Sequence, residues 1–189
     1  ARCIGAVNAL RREADGSWTG DMFDGAGFIV GAQRKGYELA GRRVALFGAG
    51  GAGSAIACGL AAAGAESIAL IDPLRDKAEA LAVALRGTFN TCNAYAAGGV
   101  PPGSDMIVNA STVGMRPEDG LPGEIGVLPS NVLIGDVINT DARTPMVELA
   151  LKHGCPYVAG KDMHAGQGDA LLAFFAASSP VPVHQGSTH

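Results

Sequence analysis

Positive charge is scarce in this sequence. Its 14 lysine and arginine residues are outnumbered by 18 aspartate and glutamate residues, which leaves a net charge of −4 at neutral pH. A nucleic-acid-binding protein usually presents a basic surface, so this balance argues against such a partner. Long apolar runs are missing too: no stretch reaches the roughly 20 apolar residues of a membrane helix, and no signal peptide is recognisable. We therefore expect neither a nucleic-acid partner nor a membrane span.

Cysteine and histidine are few and scattered. The four cysteines show no CxxC spacing, and the four histidines form neither an HxH nor an HxxxH pattern. Isolated cysteines are typical of reduced thiols in a cytoplasmic protein rather than of a disulfide framework. No set of ligands with the spacing of a metal site is recognisable, so we expect no bound metal.

The sequence does contain a regular alternation of short apolar runs and helical patterns. Hydrophobic residues make up 48% of the 189 residues, enough for a sizeable core. A hairpin comes first, because Asp-Gly at 15–16 separates two strand patterns. The later alternation is typical of a parallel sheet with helices on both faces. Strands are predicted over 3–10, 17–22, 42–48, 66–72, 104–111, 131–138 and 156–160, and helices over 51–64, 74–86, 144–154 and 162–178, with a further helix capped by Asp24.

Two Gly/Pro-rich segments interrupt this rhythm, over 96–103 and 114–126. Long loops at the ends of strands in such folds often line a binding site, although a plain surface loop is an equal alternative for the first of them.

A glycine cluster follows the first strand of the alternation. Gly48, Gly50 and Gly53 match G-x-G-x-x-G between a predicted strand and a predicted helix, which is the context of a dinucleotide-binding fingerprint. Gly48 permits the tight turn, Gly50 permits close approach to a pyrophosphate, and Gly53 permits close packing of helix on strand. The motif predicts a doubly wound, Rossmann-type α/β fold. The predicted phosphate-binding loop comprises Gly48, Ala49, Gly50, Gly51, Ala52 and Gly53.

An acid, Asp72, ends the next predicted strand. In this position a carboxylate accepts hydrogen bonds from the ribose hydroxyls of NAD and repels the 2′-phosphate of NADP. We therefore expect NAD to be favoured over NADP. Arg75 is the one nearby cation that could pair with that phosphate and reverse the preference.

Six separated motifs resemble, in order and spacing, those of the shikimate/quinate dehydrogenase family. They are IGAVNAL (4–10), GDMFDGAGF (20–28), GAGGAG (48–53), VNASTVGM (108–115), DVINTDARTP (136–145) and GKDMHAGQGDALLAF (160–174). The resemblance implies hydride transfer between a nicotinamide and a ring hydroxyl of shikimate, quinate or a related hydroxy acid. It also implies that residues 1–23 are a remnant of an N-terminal substrate domain, which fits the start without methionine. Residues 24–178 would form the NAD(P)-binding domain and 179–189 a flexible tail, and a homodimer is left open.

The resemblance also implies roles for individual residues. Asp24 matches the aspartate of the family's catalytic Lys–Asp pair, whereas no lysine here matches its partner, so this chain alone is expected to be a poor catalyst. Asn8 and Gln167 match residues that bind substrate hydroxyls. Cofactor contacts are implied for Ala110, Ser111, Val137, Gly160 and Met163.

Some residues depart from the family pattern. Asp72-Pro73-Leu74 replaces the Asn-Arg-Ser/Thr that grips the 2′-phosphate, which supports NAD. Met22-Phe23 replaces Asn-Thr before Asp24, which predicts a more apolar wall, and Lys161, Asp162 and His164 place charge near the cofactor. Two alternatives stay open: a non-catalytic dinucleotide-binding module, and another Rossmann enzyme such as a methylenetetrahydrofolate dehydrogenase.

Overall fold

The architecture is a two-stranded hairpin followed by a six-stranded sheet with flanking helices, in a computed structural model that describes residues 5–116 and 118–177. The strands are β1 (Ala9–Arg12), β2 (Trp18–Asp21), β3 (Arg43–Phe47), β4 (Ser67–Ile71), β5 (Asn93–Ala96), β6 (Met106–Asn109), β7 (Leu133–Asp136) and β8 (Tyr157–Val158). The helices are α1 (Asp24–Arg34), α2 (Gly51–Ala62), α3 (Arg75–Thr88), α4 (Pro145–His153) and α5 (Gly160–Ala176). The proposed tail, 179–189, lies outside the described residues.

All six strands of the large sheet are parallel, in the order β5-β4-β3-β6-β7-β8. This is the doubly wound order: β4 and β5 are added on one side of β3, and the chain then crosses back to add β6, β7 and β8 on the other side. The predicted fold class is therefore confirmed. One strand was not predicted, β5, because its sequence Asn-Ala-Tyr-Ala contains no β-branched residue and Asn93 and Tyr95 are exposed.

The two faces of the sheet are covered differently. One core is built by α1, α2, α3 and α5, with Phe28, Ile56, Leu85 and Met163 buried in it. On the other face, α4 and the loop residues Ile125 and Leu128 cover Phe47, Ile107 and Ile134. Between β5 and β6, and between β6 and β7, the described residues form no helix, so loops that include the two Gly/Pro-rich segments cover part of that second face.

The hairpin confirms the predicted turn but corrects the strand before it. Ala9–Arg12 pairs with Trp18–Asp21 in antiparallel register, and Gly16 at the turn has a φ of 87°. The predicted strand over 3–10 was wrong in its bounds: of its positions, 3 and 4 lie outside the described residues and 5–8 are irregular. Among the described residues, 5–8 lie opposite no second strand, and small residues alone do not hold a strand without one.

Glycines allow α1 to lie very close to two other helices. A Cβ on Gly25 would overlap the carbonyl oxygen of Ala55 in α2, and one on Gly31 would lie 2.7 Å from the carbonyl oxygen of Asp162 in α5. A Cβ on Gly27 would overlap the side chain of Gln167. The start of α1 is thereby wedged against the first half of α2 and the middle of α5.

Candidate active site

The glycine loop has the geometry that its sequence predicts. Gly48 has a φ of 94°, which L side chains rarely adopt, and a Cβ there would lie 2.8 Å from the carbonyl oxygen of Ala110. A Cβ on Gly53 would overlap the carbonyl oxygen of Gly48, so this glycine permits the close packing of α2 on the loop. A Cβ on Gly50 would meet no atom within 4 Å, so that position faces open space. The residues therefore fit a pyrophosphate approaching the loop at Gly50.

The start of α2 is suited to an anion. Its N-cap residue, Gly50, offers no side chain to the first-turn N–H groups. Such groups, together with the positive end of the helix dipole, bind phosphates in dinucleotide folds.

Asp72 holds the glycine loop against the end of β4. One carboxylate oxygen accepts a hydrogen bond from the backbone N–H of Ala49 at 2.8 Å, and the other accepts one from the N–H of Leu74 at 2.9 Å. The role of Asp72 in shaping the loop was not predicted. Because each carboxylate oxygen has two lone pairs, both can still accept from a ribose. The guanidinium of Arg75 forms an ion pair with Glu79 at 2.7 Å along the exposed side of α3.

A cavity of about 570 Å³ opens beside Gly48 and Asp72. Its walls come largely from the two Gly/Pro-rich segments, so these loops line a cavity beside the glycine loop, and their part in a binding site stays a prediction. Beside the predicted Ser111, the cavity is lined by residues that were not predicted one by one: Phe47, Ile71, Pro73, Ala97, Gly98, Gly99, Val100, Val113, Pro122, Gly123, Glu124, Ile125 and Gly126. Their shared signal was the loop composition rather than any single residue.

Three polar side chains from distant parts of the sequence converge at the start of α1. One carboxylate oxygen of Asp24 accepts hydrogen bonds from the amide of Asn8 at 2.8 Å and from the amide of Gln167 at 2.9 Å. Gln167 is buried on α5, and the amide oxygen of Asn8 accepts from the N–H of Phe23 at 3.0 Å. The structure thus brings together the catalytic and substrate-binding residues that the resemblance implied.

Asp24 does not cap its helix as expected. The helix begins at Asp24 itself, Phe23 occupies the N-cap position, and no side-chain capping bond forms. The carboxylate instead accepts hydrogen bonds from the side-chain amides of Asn8 and Gln167.

This cluster lies beside the glycine loop. A Cβ on Gly51 would lie 3.9 Å from the terminal methyl of Met22 and 3.6 Å from that of Ala6. The expected apolar wall is therefore formed by Met22, whereas Phe23 is buried and packs edge to face on Phe174, with ring centroids 5.4 Å apart.

The start of α5 packs against the segment that follows β7. A Cβ on Gly160 would overlap the carbonyl oxygen of Ile138, so α5 begins in contact with the segment after β7, which includes Val137. Met163 is buried one turn later. The charge predicted here is partly neutralised, because the carboxylate of Asp162 accepts from Lys35 at 2.6 Å and from the N–H of Ala159 at 2.8 Å. His164 contacts the carbonyl oxygen of Gly160 at 3.1 Å.

A buried polar network joins the ends of β6 and β7; its residues lie within two of the six motifs, but no role was predicted for them. Asp136 accepts hydrogen bonds from the hydroxyl of Thr144 at 2.5 Å, from the N–H of Ile138 at 3.1 Å and from the amide of Asn109 at 3.2 Å. Burial raises the pKa of Asp136, and these hydrogen bonds partly offset that rise. The signal that could have found the network was the presence of Asn and Asp at the ends of two otherwise apolar strands.

Two further observations concern the described ranges alone. No helix in them has the length and apolar character needed to cross a membrane. No three side chains of His, Cys, Asp or Glu in them are grouped as a metal ion would require.

Comparison with known proteins gives a consistent result, although no family model matches the sequence. Shikimate dehydrogenase (NADP(+)) from Symbiobacterium thermophilum is 32% identical over 196 residues, which cover 97% of this chain and 65% of that protein. The chain therefore spans about two thirds of the length of this curated relative. Among solved structures, quinate dehydrogenase from Corynebacterium glutamicum in complex with NAD has a TM-score of 0.81 and 28% identity, covering 96% of this chain and 66% of that one.

A ligand-free 5-ketofructose reductase from Gluconobacter sp. strain CHM43 is also similar, with a TM-score of 0.80 and 33% identity over 93% of this chain and 64% of that one. Proteins named shikimate dehydrogenase match nearly the whole chain, which disfavours a different Rossmann family. The chain belongs to the shikimate/quinate dehydrogenase family.

Proposed function

We propose that this chain provides the dinucleotide site and part of the substrate site of an NAD(P)-dependent oxidoreductase. The reaction would interconvert a hydroxyl and a ketone on shikimate, quinate or a related hydroxy acid. The observation that carries the proposal is the convergence of Asn8 and Gln167 on Asp24 beside the glycine loop. A fold that only bound a dinucleotide would have no need of such a cluster.

The cluster suits an alcohol substrate. A bound oxidised nicotinamide would accept the hydride from the carbinol carbon of the substrate. The hydroxyl proton must leave as the ketone forms. Asn8 and Gln167 both donate to one oxygen of Asp24, which fixes the carboxylate plane. Within the described ranges the second oxygen accepts no hydrogen bond, so it can accept one from a substrate hydroxyl.

A proton acceptor for turnover is a separate requirement. Within the described ranges, no lysine or arginine forms an ion pair with Asp24, and Lys35 is paired with Asp162. We therefore propose that this chain alone binds its ligands but turns over slowly, and that a lysine supplied to Asp24 would raise the rate.

The proposed cofactor is NAD in preference to NADP. The negative charge of Asp72 lies at the end of β4, and Arg75 is held by Glu79 on the side of α3. Relatives use either nucleotide: the Symbiobacterium protein is named for NADP(+), and the Corynebacterium structure contains NAD. The local charge in this chain supports the second behaviour.

A second candidate substrate is a neutral polyhydroxy ketone. The similarity to 5-ketofructose reductase points to it, and the groups around Asp24 are uncharged amides rather than cations that would pair with an acid. Under this alternative the same hydride chemistry would act on a sugar.

The test is a titration of the folded chain with NADH and NADPH, followed by nicotinamide fluorescence. Shikimate, quinate and 5-ketofructose are then added to the complex, and the same series is run on Asp24→Asn. We expect NADH to bind more tightly than NADPH, and one substrate to bind only when Asp24 is intact. No nucleotide binding by a chain that is folded by circular dichroism would contradict the proposal. Nucleotide binding without any effect of Asp24→Asn on substrate would indicate a non-catalytic module.

A further inference from the structure

The carboxyl ends of β6 and β7 are joined by side chains that are costly to bury. Asn109, Asp136 and Thr144 are 0%, 1% and 4% exposed. A buried carboxylate lowers stability unless it is fully hydrogen-bonded, and apolar residues of similar volume would usually fill such a space at lower cost. The presence of these three polar side chains in the core therefore needs a reason other than packing.

Asn109 holds the loop that follows β6. Its amide oxygen accepts from both the N–H and the hydroxyl of Ser111, at 3.1 Å and 2.7 Å. Its amide nitrogen donates to the carbonyl oxygen of Val113 at 2.9 Å and also to Asp136. One side chain thus sets the conformation of residues 110–113, whose first member lies against Gly48.

Asp136 and Thr144 hold the loop that follows β7. Asp136 accepts from the N–H of Ile138, whose carbonyl oxygen lies against Gly160 at the start of α5. Thr144 donates to Asp136 and accepts from the N–H of Val147 at 3.3 Å, so the same hydroxyl caps α4. The network therefore ties three segments to one carboxylate.

These segments belong to one half of the dinucleotide site. In a doubly wound sheet each half binds one mononucleotide, and the two halves meet where the strand order reverses. Asp72 and the glycine loop belong to the β3–β4 half, which takes the adenosine. The loops after β6 and β7 belong to the other half, which would take the nicotinamide mononucleotide.

We propose that Asn109, Asp136 and Thr144 are positioning residues that shape the nicotinamide half of the site without touching the nucleotide. This inference rests on the proposed function. Loss of a network hydrogen bond lets the loops after β6 and β7 move independently, which weakens contacts to the nicotinamide half and leaves the adenosine half intact.

The test compares two ligands by calorimetry: NADH, and ADP-ribose, which lacks the nicotinamide. Thr144→Val removes the hydroxyl and keeps the side-chain shape. We expect it to weaken NADH binding about three- to tenfold while ADP-ribose binding is unchanged. Thr144→Ser should restore NADH binding. Ala150→Gly is the matched control, because it weakens α4 without altering a polar side chain, and it should leave the ratio of the two affinities unchanged.

Asp136→Asn provides a second variant of equal size, should Thr144→Val fold poorly. The asparagine has one accepting oxygen and cannot accept hydrogen bonds from Thr144, Ile138 and Asn109 together, so the NADH-to-ADP-ribose affinity ratio should fall here too. An unchanged ratio in the folded variants would overturn the positioning role while leaving the proposed function intact. A wild-type chain that binds neither ligand would overturn the proposed function and this inference with it.

Discussion

Asp72→Asn tests whether this carboxylate, which contacts the backbone of the glycine loop, also sets the nucleotide preference. The asparagine has the same shape but no charge, and only one oxygen that accepts a hydrogen bond. It can therefore keep either the N–H of Ala49 or the N–H of Leu74, but not both in the present geometry. A ribose hydroxyl would then compete for the same oxygen.

The size of the effect follows from these contacts. A hydrogen bond between a ribose hydroxyl and a carboxylate contributes about 1.5–3 kcal/mol, so its loss should weaken NADH binding by roughly tenfold or more. Repulsion between two unit charges 4 Å apart lies between about 1 kcal/mol in water and about 4 kcal/mol near a protein surface. NADPH regains that energy when the charge is removed. The NADH-to-NADPH affinity ratio should therefore fall by at least about tenfold.

The assay is fluorescence titration with both nucleotides at one ionic strength. Asp76→Asn is the control, because Asp76 is an exposed acid in the first turn of α3 and its substitution makes the same change in net charge. The reasoning would be refuted if Asp72→Asn left the ratio unchanged. An equal fall in Asp76→Asn would show that long-range charge, rather than contact with Asp72, sets the preference.

Two other predictions follow from the packing and from the buried carboxyl. Gly27→Ala should destabilise the fold by about 1–3 kcal/mol and weaken substrate binding, because its methyl group would displace the side chain of Gln167. Gly31→Ala should lower the stability by a similar amount without weakening substrate binding. Urea unfolding measures the stability, and ligand titration measures the binding. The raised pKa of Asp136 means that its contribution to stability is fully present below the ordinary carboxyl pKa and is lost as the pH rises through the raised value. Asp136→Asn should therefore flatten the fall in the free energy of unfolding above about pH 4, and an unchanged slope would contradict this assignment.

Local patterns were enough to predict much of the fold. Strand, glycine turn and helix follow one another between Arg43 and Ala62, and their periodicity and glycine spacing can be read within that stretch alone. The glycine requirement at 53 is likewise local, because a Cβ there would overlap the carbonyl oxygen of Gly48, whereas the requirement at 48 comes both from its local φ and from the remote Ala110. The α4 helix was predicted from Pro145 at its start and Gly154 at its end, and both occupy those positions.

The prediction failed where a short segment depends on neighbours. The edge strand β5 is made by pairing with β4, and its own residues favour a strand only weakly. The capping role expected of Asp24 was wrong because amides from outside the helix bind the carboxylate. Both outcomes depend on groups that are remote in the sequence.

The sequence by itself determined the alternation of strands and helices, the glycine loop and the acid that follows it, since these depend on residue periodicity and on backbone freedom at single positions. Only the tertiary structure decided that Gln167, 143 positions after Asp24, donates to its carboxylate. It also decided that Asp72 braces the loop and that Asp136 lies in the core. A side chain's partners are set by how elements pack, and the packing of α1 on α5 depends on glycines in both helices.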